Sequence, residues 1–352
     1  MTTKRTVEIS RINLAFCAMV ICIHLLSDAV THPGLSEGQY VLLYTVQKLC
    51  SPAVYGFLFL AALKIFRKGF GPSFRYASYY KSRFLRIVVP YAVALAAYML
   101  IYSLLPGYSW PISSYPLYLL SGAFASHFYF VPVIVQFYVL LPLWRLLVEK
   151  GRAAVVLPLA LFFQLVVPEA TRVFLLAVGS SYVPHHFYQL FVPYTFFWLA
   201  GAYAGKEYDR FTAALRRFKS LWLAVWCAAI LGVAGFAVLL YRGIYMEYLS
   251  FMQTALSAVT ILLLYERSLA LEQCKPQLSR LGAALDRASY EIYLYHMLFV
   301  VCGSELARRL GLLAMIPAFF VRTAVTLCGT AAALVVLNGC KRLLAAVFCK
   351  KE

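Results

Sequence analysis

The chain has 352 residues, of which 63% are hydrophobic and 13% are charged, and its formal net charge is +18. Soluble domains carry about 25% charged residues, so this composition excludes an ordinary soluble enzyme. The basic residues occur in short clusters between apolar runs, which is typical of membrane topology and argues against nucleic acid as a partner.

Apolar runs of about 20 residues, long enough to cross a bilayer, recur along the whole chain. They predict ten spans, near 12–29, 43–65, 87–105, 128–147, 153–168, 189–205, 220–241, 248–265, 288–306 and 314–338. The fifth span is short and is expected to end at Pro168. The predicted fold is an all-α polytopic membrane protein with about ten transmembrane helices, forming a single domain over residues 1–352. The outer segments 106–127 and 168–188 are predicted to be re-entrant or partial helices.

The basic residues predict the orientation of these spans. Of the 32 Lys and Arg residues, 26 lie before the first span, after the last span, or in or at the edge of the gaps that follow the even-numbered spans, with Lys64 and Arg145 just inside the ends of the second and fourth spans. Cytoplasmic loops carry the excess of positive charge, so both termini are expected in the cytoplasm. The first apolar run lacks a small-residue cleavage site, and it is therefore expected to be retained as a span.

Ionisable side chains inside predicted spans are costly and are candidates for function. Three stand out: His24 in the first span, His296 in the ninth and Arg322 in the tenth. Asp28 follows His24 by four residues and shares its helix face. A carboxylate there can hold one imidazole nitrogen and leave the other as a general base. The alternatives are that Asp28 only ends the helix at the interface and that His24 bonds to a neighbouring helix.

Two further groups of basic and histidine residues are candidates by their spacing. Arg83 and Arg86 share a helix face at the start of the third span, where paired guanidinium groups would bind phosphates. The spacing by itself favours a lipid-headgroup anchor. His127, His185 and His186 lie at the outer face, but no carboxylate pair accompanies them, so no metal site is predicted. The nine cysteines predict neither a disulfide framework nor structural zinc.

Four features in this order resemble the integral-membrane acyltransferase-3 family, which acylates sugars and cell-surface polymers. They are the first-span His24, the Arg83-x-x-Arg86 segment running into Pro90, the segment from His127 to Leu143, and Ser289-x-x-Ile292-Tyr293-Leu294-Tyr295-His296. The resemblance covers nearly the whole chain. It implies ten core helices, with acyl groups taken from cytoplasmic acyl-CoA and delivered to an acceptor on the outer side.

The resemblance also implies roles for individual residues. The first-span histidine, here His24, is essential in the family, and the Arg-x-x-Arg, here Arg83 and Arg86, engages the CoA end. On this basis we expect His24 to be the base that deprotonates the acceptor hydroxyl or to relay the acyl group, with Asp28 orienting it. We expect His296 and Arg322 to line the tunnel or to steady the developing oxyanion, and His127 is placed with the tunnel residues.

Two departures from the family pattern bear on the CoA side. The family usually has a basic residue eleven positions before the histidine, where this chain has Asn13, with Arg11 nearby; both are placed with the CoA-binding residues. A Ser-Gly pair of the second span is replaced by Ala61-Ala62.

The expected reaction is O-acetyl transfer from acetyl-CoA, with O-succinyl transfer as a variant, to a glycan or lipid-linked saccharide at a bacterial cytoplasmic membrane. A second copy of the chain or a glycan synthase is the expected protein partner. Two alternatives stay open. One is a polysaccharide exporter or flippase. The other is an inactive partner of a synthase, which the departures at Asn13 and Ala61 support.

Overall fold

Helices account for all the regular secondary structure in the described part of the chain. The computed structural model describes residues 7–104, 110–179, 187–244, 249–312 and 314–348, and the side chains of all of these except 187, 249–250 and 340–348. The helices are α1 Val7–Val30, α2 Glu37–Cys50, α3 Pro52–Lys68, α4 Tyr76–Arg83, α5 Val89–Ser103, α6 Tyr115–Ser121, α7 Phe130–Val139, α8 Leu141–Lys150, α9 Ala153–Ala177, α10 Thr195–Lys206, α11 Tyr208–Arg217, α12 Lys219–Tyr241, α13 Leu249–Cys274, α14 Arg280–Arg287, α15 Ser289–Arg309 and α16 Met315–Phe348. No strand occurs within these ranges.

Seven helical segments of the described residues are long and apolar enough to cross a membrane, or eight if the bent pair α7–α8 is one span. Every one of the ten predicted spans overlaps a helix. The sixth coincides with α10, which has only 12 residues, and the ninth with α15, which carries charged residues near both ends. The chain is thus a multi-pass helical membrane protein, and both the number ten and the orientation of the termini stay predictions.

The chain forms two compact units whose segments alternate along the sequence. The first comprises Met1–Ser51, Ala234–Ile244 and Leu271–Glu352, and the second comprises Pro52–Val233 and Tyr245–Ala270. In the first unit α1 packs against α2, α14, α15 and α16, while α15 and α16 form the most extensive helix pair. In the second unit the most extensive pair is α3 with α10.

The start of α2 follows from local sequence chemistry. The Ser36 hydroxyl accepts a hydrogen bond from the Gln39 backbone N–H at 3.3 Å, and the Gln39 side chain accepts one from the Ser36 N–H at 3.0 Å. This reciprocal capping box satisfies two N–H groups that a helix start leaves without partners.

The α7–α8 pair bends by 60° at Leu140, where Pro142 follows. Proline lacks the N–H that would continue the helical ladder, and it fits the first turn of a new helix. A proline therefore divides this segment into two short helices.

A proline does not end α9, contrary to the prediction. The helix continues through Pro168 to Ala177. Proline at position 168 removes a single donor, the N–H that would bond to the Gln164 carbonyl, and membrane helices tolerate such a loss.

The predicted partial helix in 106–127 is present as α6. The Tyr115 hydroxyl donates to the Ala92 carbonyl at 2.8 Å, and the Tyr91 hydroxyl donates to the Tyr118 carbonyl at 3.0 Å. These two bonds fasten α6 to α5. Gly122, with φ of 68°, ends α6 in the left-handed region that glycine adopts without strain.

Small residues bring α3 and α10 together. Gly201 lies against the backbone of Phe59, and Gly205 lies against the backbone of Leu63, with no room for a Cβ at either glycine. This small-x-x-x-small spacing allows close approach of helix backbones in membranes, where van der Waals packing holds helices together.

Candidate active site

The first unit places two histidines side by side. The rings of His24 on α1 and His296 on α15 have centroids 5.3 Å apart and are tilted by 46°. His296 is fully buried, and its Nδ1 lies 2.8 Å from the Tyr293 carbonyl and 3.1 Å from the Ile292 carbonyl. A carbonyl only accepts, so Nδ1 carries the proton in the neutral ring and Nε2 is the basic nitrogen. The sequence singled out both histidines, and the fold brings them into contact.

The carboxylate of Asp28 is engaged by Arg322. The two side chains form an ion pair, and Arg322 also donates to the Leu25 carbonyl at 2.9 Å. Arg322 is 6% exposed at its side chain, whereas Asp28 is 61% exposed, and Ser304 donates to the same carboxylate at 3.4 Å. Asp28 thus joins α1 to α15 and α16, and its assignment as the residue that orients His24 stays a hypothesis.

A buried polar cluster surrounds Asp286 near the start of α1. Asn13 donates through its side-chain amide to Asp286 at 2.8 Å and to the Ser289 hydroxyl at 3.0 Å. The Ser10 hydroxyl donates to the other carboxylate oxygen at 2.7 Å. Asn13 stands where the family pattern has a basic residue, and here its amide serves to hold a buried carboxylate. Sequence reasoning missed Asp286 because it lies in a polar stretch, where a carboxylate is not unusual.

Arg11 forms hydrogen bonds with backbone carbonyls of the segment that precedes α14. Its guanidinium group donates to the carbonyls of Lys275 and Gln277. Together with the Asn13 cluster, this contact fastens the first turns of α1 to α14 and α15. Neither residue is shown to touch a cofactor, and their assignment to CoA binding stays a hypothesis.

Two threonines of α16 belong to the same group of helices and were also missed. Thr326 and Thr330 are buried, and they follow Arg322 at four-residue intervals. Residues four apart share a helix face. Uncharged threonines in an apolar helix give no signal in the sequence, and only the structure shows that this face is buried.

In the second unit the arginine pair flanks a break in helical geometry. Arg83 ends α4, and Phe84–Val88 forms a π-helical turn that contains Arg86. Arg83 is half-buried over the rings of Tyr79 and Tyr138, at 5.1 and 4.9 Å from their centroids, and Arg86 is exposed. The prediction placed Arg83 and Arg86 on one face of an α-helix. The structure corrects this, because each residue of a π turn advances by a smaller angle than a residue of an α-helix, and Arg86 is therefore rotated away from Arg83. Such turns are rare and occur frequently at functional sites.

His127 is buried among aromatic rings in the second unit. Its ring centroid lies 4.3 Å from that of Phe128 and 5.8 Å from that of Tyr98. His185 and His186 lie outside the described residues, and within the described residues no three His, Cys, Asp or Glu side chains group in a way that could hold a metal ion.

The comparison with known families is decisive. A family model described as an acyltransferase domain, acyltransferase-3, matches residues 14–336. The chain belongs to the acyltransferase-3 family. No curated protein and no solved structure is significantly similar to the chain. The acyltransferase-3 match includes α1 from Leu14 onward, both histidines, the arginine pair and most of α16, and family membership supports a membrane acyltransferase.

Proposed function

We propose that this acyltransferase moves an acetyl or succinyl group from cytoplasmic acyl-CoA to a hydroxyl of an extracytoplasmic or lipid-linked glycan. The observation that carries the proposal is the contact between His24 and His296 inside a helical membrane protein of the acyltransferase-3 family. Paired imidazoles held between apolar helices provide proton-transfer groups where water is scarce.

In the proposed reaction His24 is the general base. It accepts the proton of the acceptor hydroxyl as the hydroxyl oxygen attacks the thioester carbonyl carbon. The carbon–oxygen bond of the new ester forms, the carbon–sulfur bond breaks, and the CoA thiolate leaves. The proton held by His24 then goes to the thiolate, so the products are the ester and free CoA thiol. A positioned base of this kind contributes about 10²–10⁴-fold in rate.

His296 supports this role through its fixed tautomer. The carbonyls of Ile292 and Tyr293 hold its Nδ1 proton, so its other nitrogen is basic and close to the ring of His24. In the proposal His296 holds His24 in place and stabilises the imidazolium that forms when His24 takes the proton.

Arg83 and Arg86 are the proposed contacts for the CoA phosphates. Guanidinium groups bind phosphate bidentately, and Arg86 is exposed while Arg83 is held on two aromatic rings. The proposed setting is the cytoplasmic membrane of a bacterium, with modification of a cell-envelope polysaccharide as the outcome and a second copy or a glycan synthase as protein partner.

The experiment is acyl-CoA binding and CoA release by protein purified in detergent, with acetyl-CoA and succinyl-CoA compared. We expect His24→Ala to bind acyl-CoA but to release CoA at least about 10²-fold more slowly. We expect Arg83→Ala/Arg86→Ala to lose acyl-CoA affinity by about tenfold or more. Arg75→Ala is the matched control, because Arg75 is an exposed arginine just before the same helix.

The outcome that contradicts the proposal is folded wild-type protein that binds no acyl-CoA. In that case the exporter or the inactive synthase partner becomes the working hypothesis. An Arg75→Ala variant that loses as much affinity as the arginine pair would show that general basic charge, not a phosphate site, attracts the ligand.

A further inference from the structure

One face of α16 presents a row of buried polar side chains, each with one atom that lacks a hydrogen-bond partner among the described residues. Arg322, Thr326 and Thr330 are 5%, 0% and 6% exposed. The Arg322 Nε and the two threonine hydroxyls have no hydrogen-bond partner within the described part of the chain. A buried polar atom left in this state costs free energy that most proteins avoid.

A threonine in a helix usually satisfies its hydroxyl by donating to a carbonyl of its own helix, and Thr323, next to this row, does so. Thr323 donates its hydroxyl to the Phe319 carbonyl at 2.8 Å, one turn back along the same helix. That bond is available to any threonine in an α-helix. For Thr326 and Thr330 no such bond is found within the described part of the chain, so their hydroxyls are available to donate elsewhere.

Packing contacts place the row at the depth of the histidine pair. Gly303 of α15 lies against the backbone of Arg322, and Gly329 of α16 lies against the ring of Phe299, so the two helices run antiparallel. His296 precedes Gly303 by seven residues, or about 10 Å of helix rise. Thr326 and Thr330 lie about 6 and 12 Å beyond Arg322. His296 therefore falls at a depth between the two threonines.

The first helix gives the same depth independently. Asp28 of α1 pairs with Arg322, and His24 precedes Asp28 by four residues, or about 6 Å of rise. Thr326 follows Arg322 by the same rise toward the same end of the unit. His24 and Thr326 thus lie at one level, and Thr330 lies about 6 Å closer to the end where α1 begins.

The chemistry of the row selects a ligand with spaced carbonyl groups. Arg322 Nε–H only donates, and the threonine hydroxyls can donate as well. In an acyl-pantetheine arm, five bonds separate the thioester carbonyl carbon from the nearest amide carbonyl carbon, which is about 6 Å when extended. That separation is close to the rise from Thr326 to Thr330, and rotation about one bond of the arm turns both carbonyl oxygens toward the same helix face.

We propose that Thr326 donates to the thioester carbonyl of the acyl donor and Thr330 donates to the adjacent pantetheine amide carbonyl. This assignment rests on the proposed function, because it takes the donor to be an acyl-CoA that enters from the end where α1 begins. As the acceptor oxygen attacks, the thioester carbonyl oxygen gains negative charge, which the Thr326 hydroxyl stabilises. When the carbon–sulfur bond breaks, the lone pair of that oxygen re-forms the carbonyl double bond and the negative charge leaves with the CoA thiolate, so Thr326 neither gains nor loses a proton.

The test is infrared difference spectroscopy of acetyl-CoA labelled with ¹³C at the thioester carbonyl. The His24→Ala background prevents turnover, so the bound thioester persists. A hydrogen bond lowers the stretching frequency of the thioester carbonyl below that of acetyl-CoA in solution. We expect this lowering for His24→Ala alone and for the double variants that add Thr326→Ser or Thr323→Val to His24→Ala. We expect Thr326→Val to abolish it. Thr323 is the matched control because it lies on the same helix and bonds to its own backbone.

Kinetics with His24 present provide the second measurement. We expect Thr326→Val to lower kcat/KM for acetyl-CoA by about 10²-fold, as loss of an oxyanion donor does, without changing the affinity for free CoA. We expect Thr330→Val to weaken acetyl-CoA and free CoA equally, by about two- to tenfold. Thr326→Val should not lower the unfolding temperature, because its hydroxyl has no hydrogen-bond partner to lose among the residues that the structure describes.

The outcomes separate this inference from the proposed function. If acetyl-CoA binds but Thr326→Val leaves both the carbonyl frequency and kcat/KM unchanged, the threonine assignment is overturned and the acyltransferase proposal stands. If no acyl-CoA binds to folded protein with intact threonines, the proposed function fails and the assignment fails with it.

Discussion

At the scale of single residues, Asp286 shows how the first helix is held. Its carboxylate is buried and accepts hydrogen bonds from Asn13 and Ser10. We expect Asn13→Asp to destabilise the protein by about 2–4 kcal/mol, because it places a second carboxylate against a buried one. Adding Asp286→Asn exchanges donor and acceptor, and the double variant should recover most of the loss. Unfolding of the four proteins in detergent measures this cycle.

The control for that cycle is Asp286→Asn alone. An amide can keep a hydrogen bond with either neighbour, so this variant should lose only about 1 kcal/mol. A double variant no more stable than Asn13→Asp would contradict the direct pairing of residues 13 and 286.

The residues that sequence reasoning found are those whose chemistry is unusual for their surroundings. His24, His296 and Arg322 are ionisable groups in apolar runs, and they stand out for that reason. Their contacts could not be predicted from the sequence, because the Asp28–Arg322 pair, for example, joins positions separated by 294 residues. Thr326 and Thr330 were not predictable for another reason. They differ from Thr323 in being buried and in having no hydroxyl partner among the described residues, and neither property can be read from the sequence.

At the scale of helices, the contact between α3 and α10 depends on Gly201. A Cβ there would meet the backbone of Phe59, which cannot move aside as a flexible side chain can. We expect Gly201→Ala to destabilise the protein by about 1–3 kcal/mol. Gly235→Ala in α12 is the control, because nothing lies within 4 Å of a Cβ at that position. It should be neutral or stabilising by up to about 1 kcal/mol.

Helix positions were largely predictable, and helix boundaries were less so. A helix overlaps each of the ten apolar runs, since burial in lipid requires apolar side chains and an internally bonded backbone. The sequence does not show that α9 continues through Pro168, because a proline can either end a helix or be tolerated within a membrane helix, depending on its surroundings. It likewise does not reveal the π turn at Phe84–Val88, since no residue type there demands one.

At the scale of the whole molecule, the distribution of basic residues predicts which side of the membrane each segment faces. Two single-cysteine proteins test this in one assay. One retains only Cys274, which is exposed and lies in a predicted cytoplasmic gap. The other carries only Ile112→Cys, at a residue 88% exposed in a predicted outer segment. In right-side-out vesicles an impermeant thiol reagent should label position 112 and spare Cys274, with the reverse in inverted vesicles. Labelling of both from one side would contradict the predicted topology.

The π turn has a consequence for how this chain is aligned with its relatives. A π turn holds one residue more than the α-helical turn it replaces, so it behaves as a one-residue insertion. Deleting a residue of Phe84–Val88 would restore α-helical register and rotate α4 by about 100° relative to α5. Arg83 would then leave the ring of Tyr138, whereas Tyr79 would turn with it on the same helix. An alignment without a gap here would pair one of the two arginines with the wrong position in any relative that lacks the extra residue.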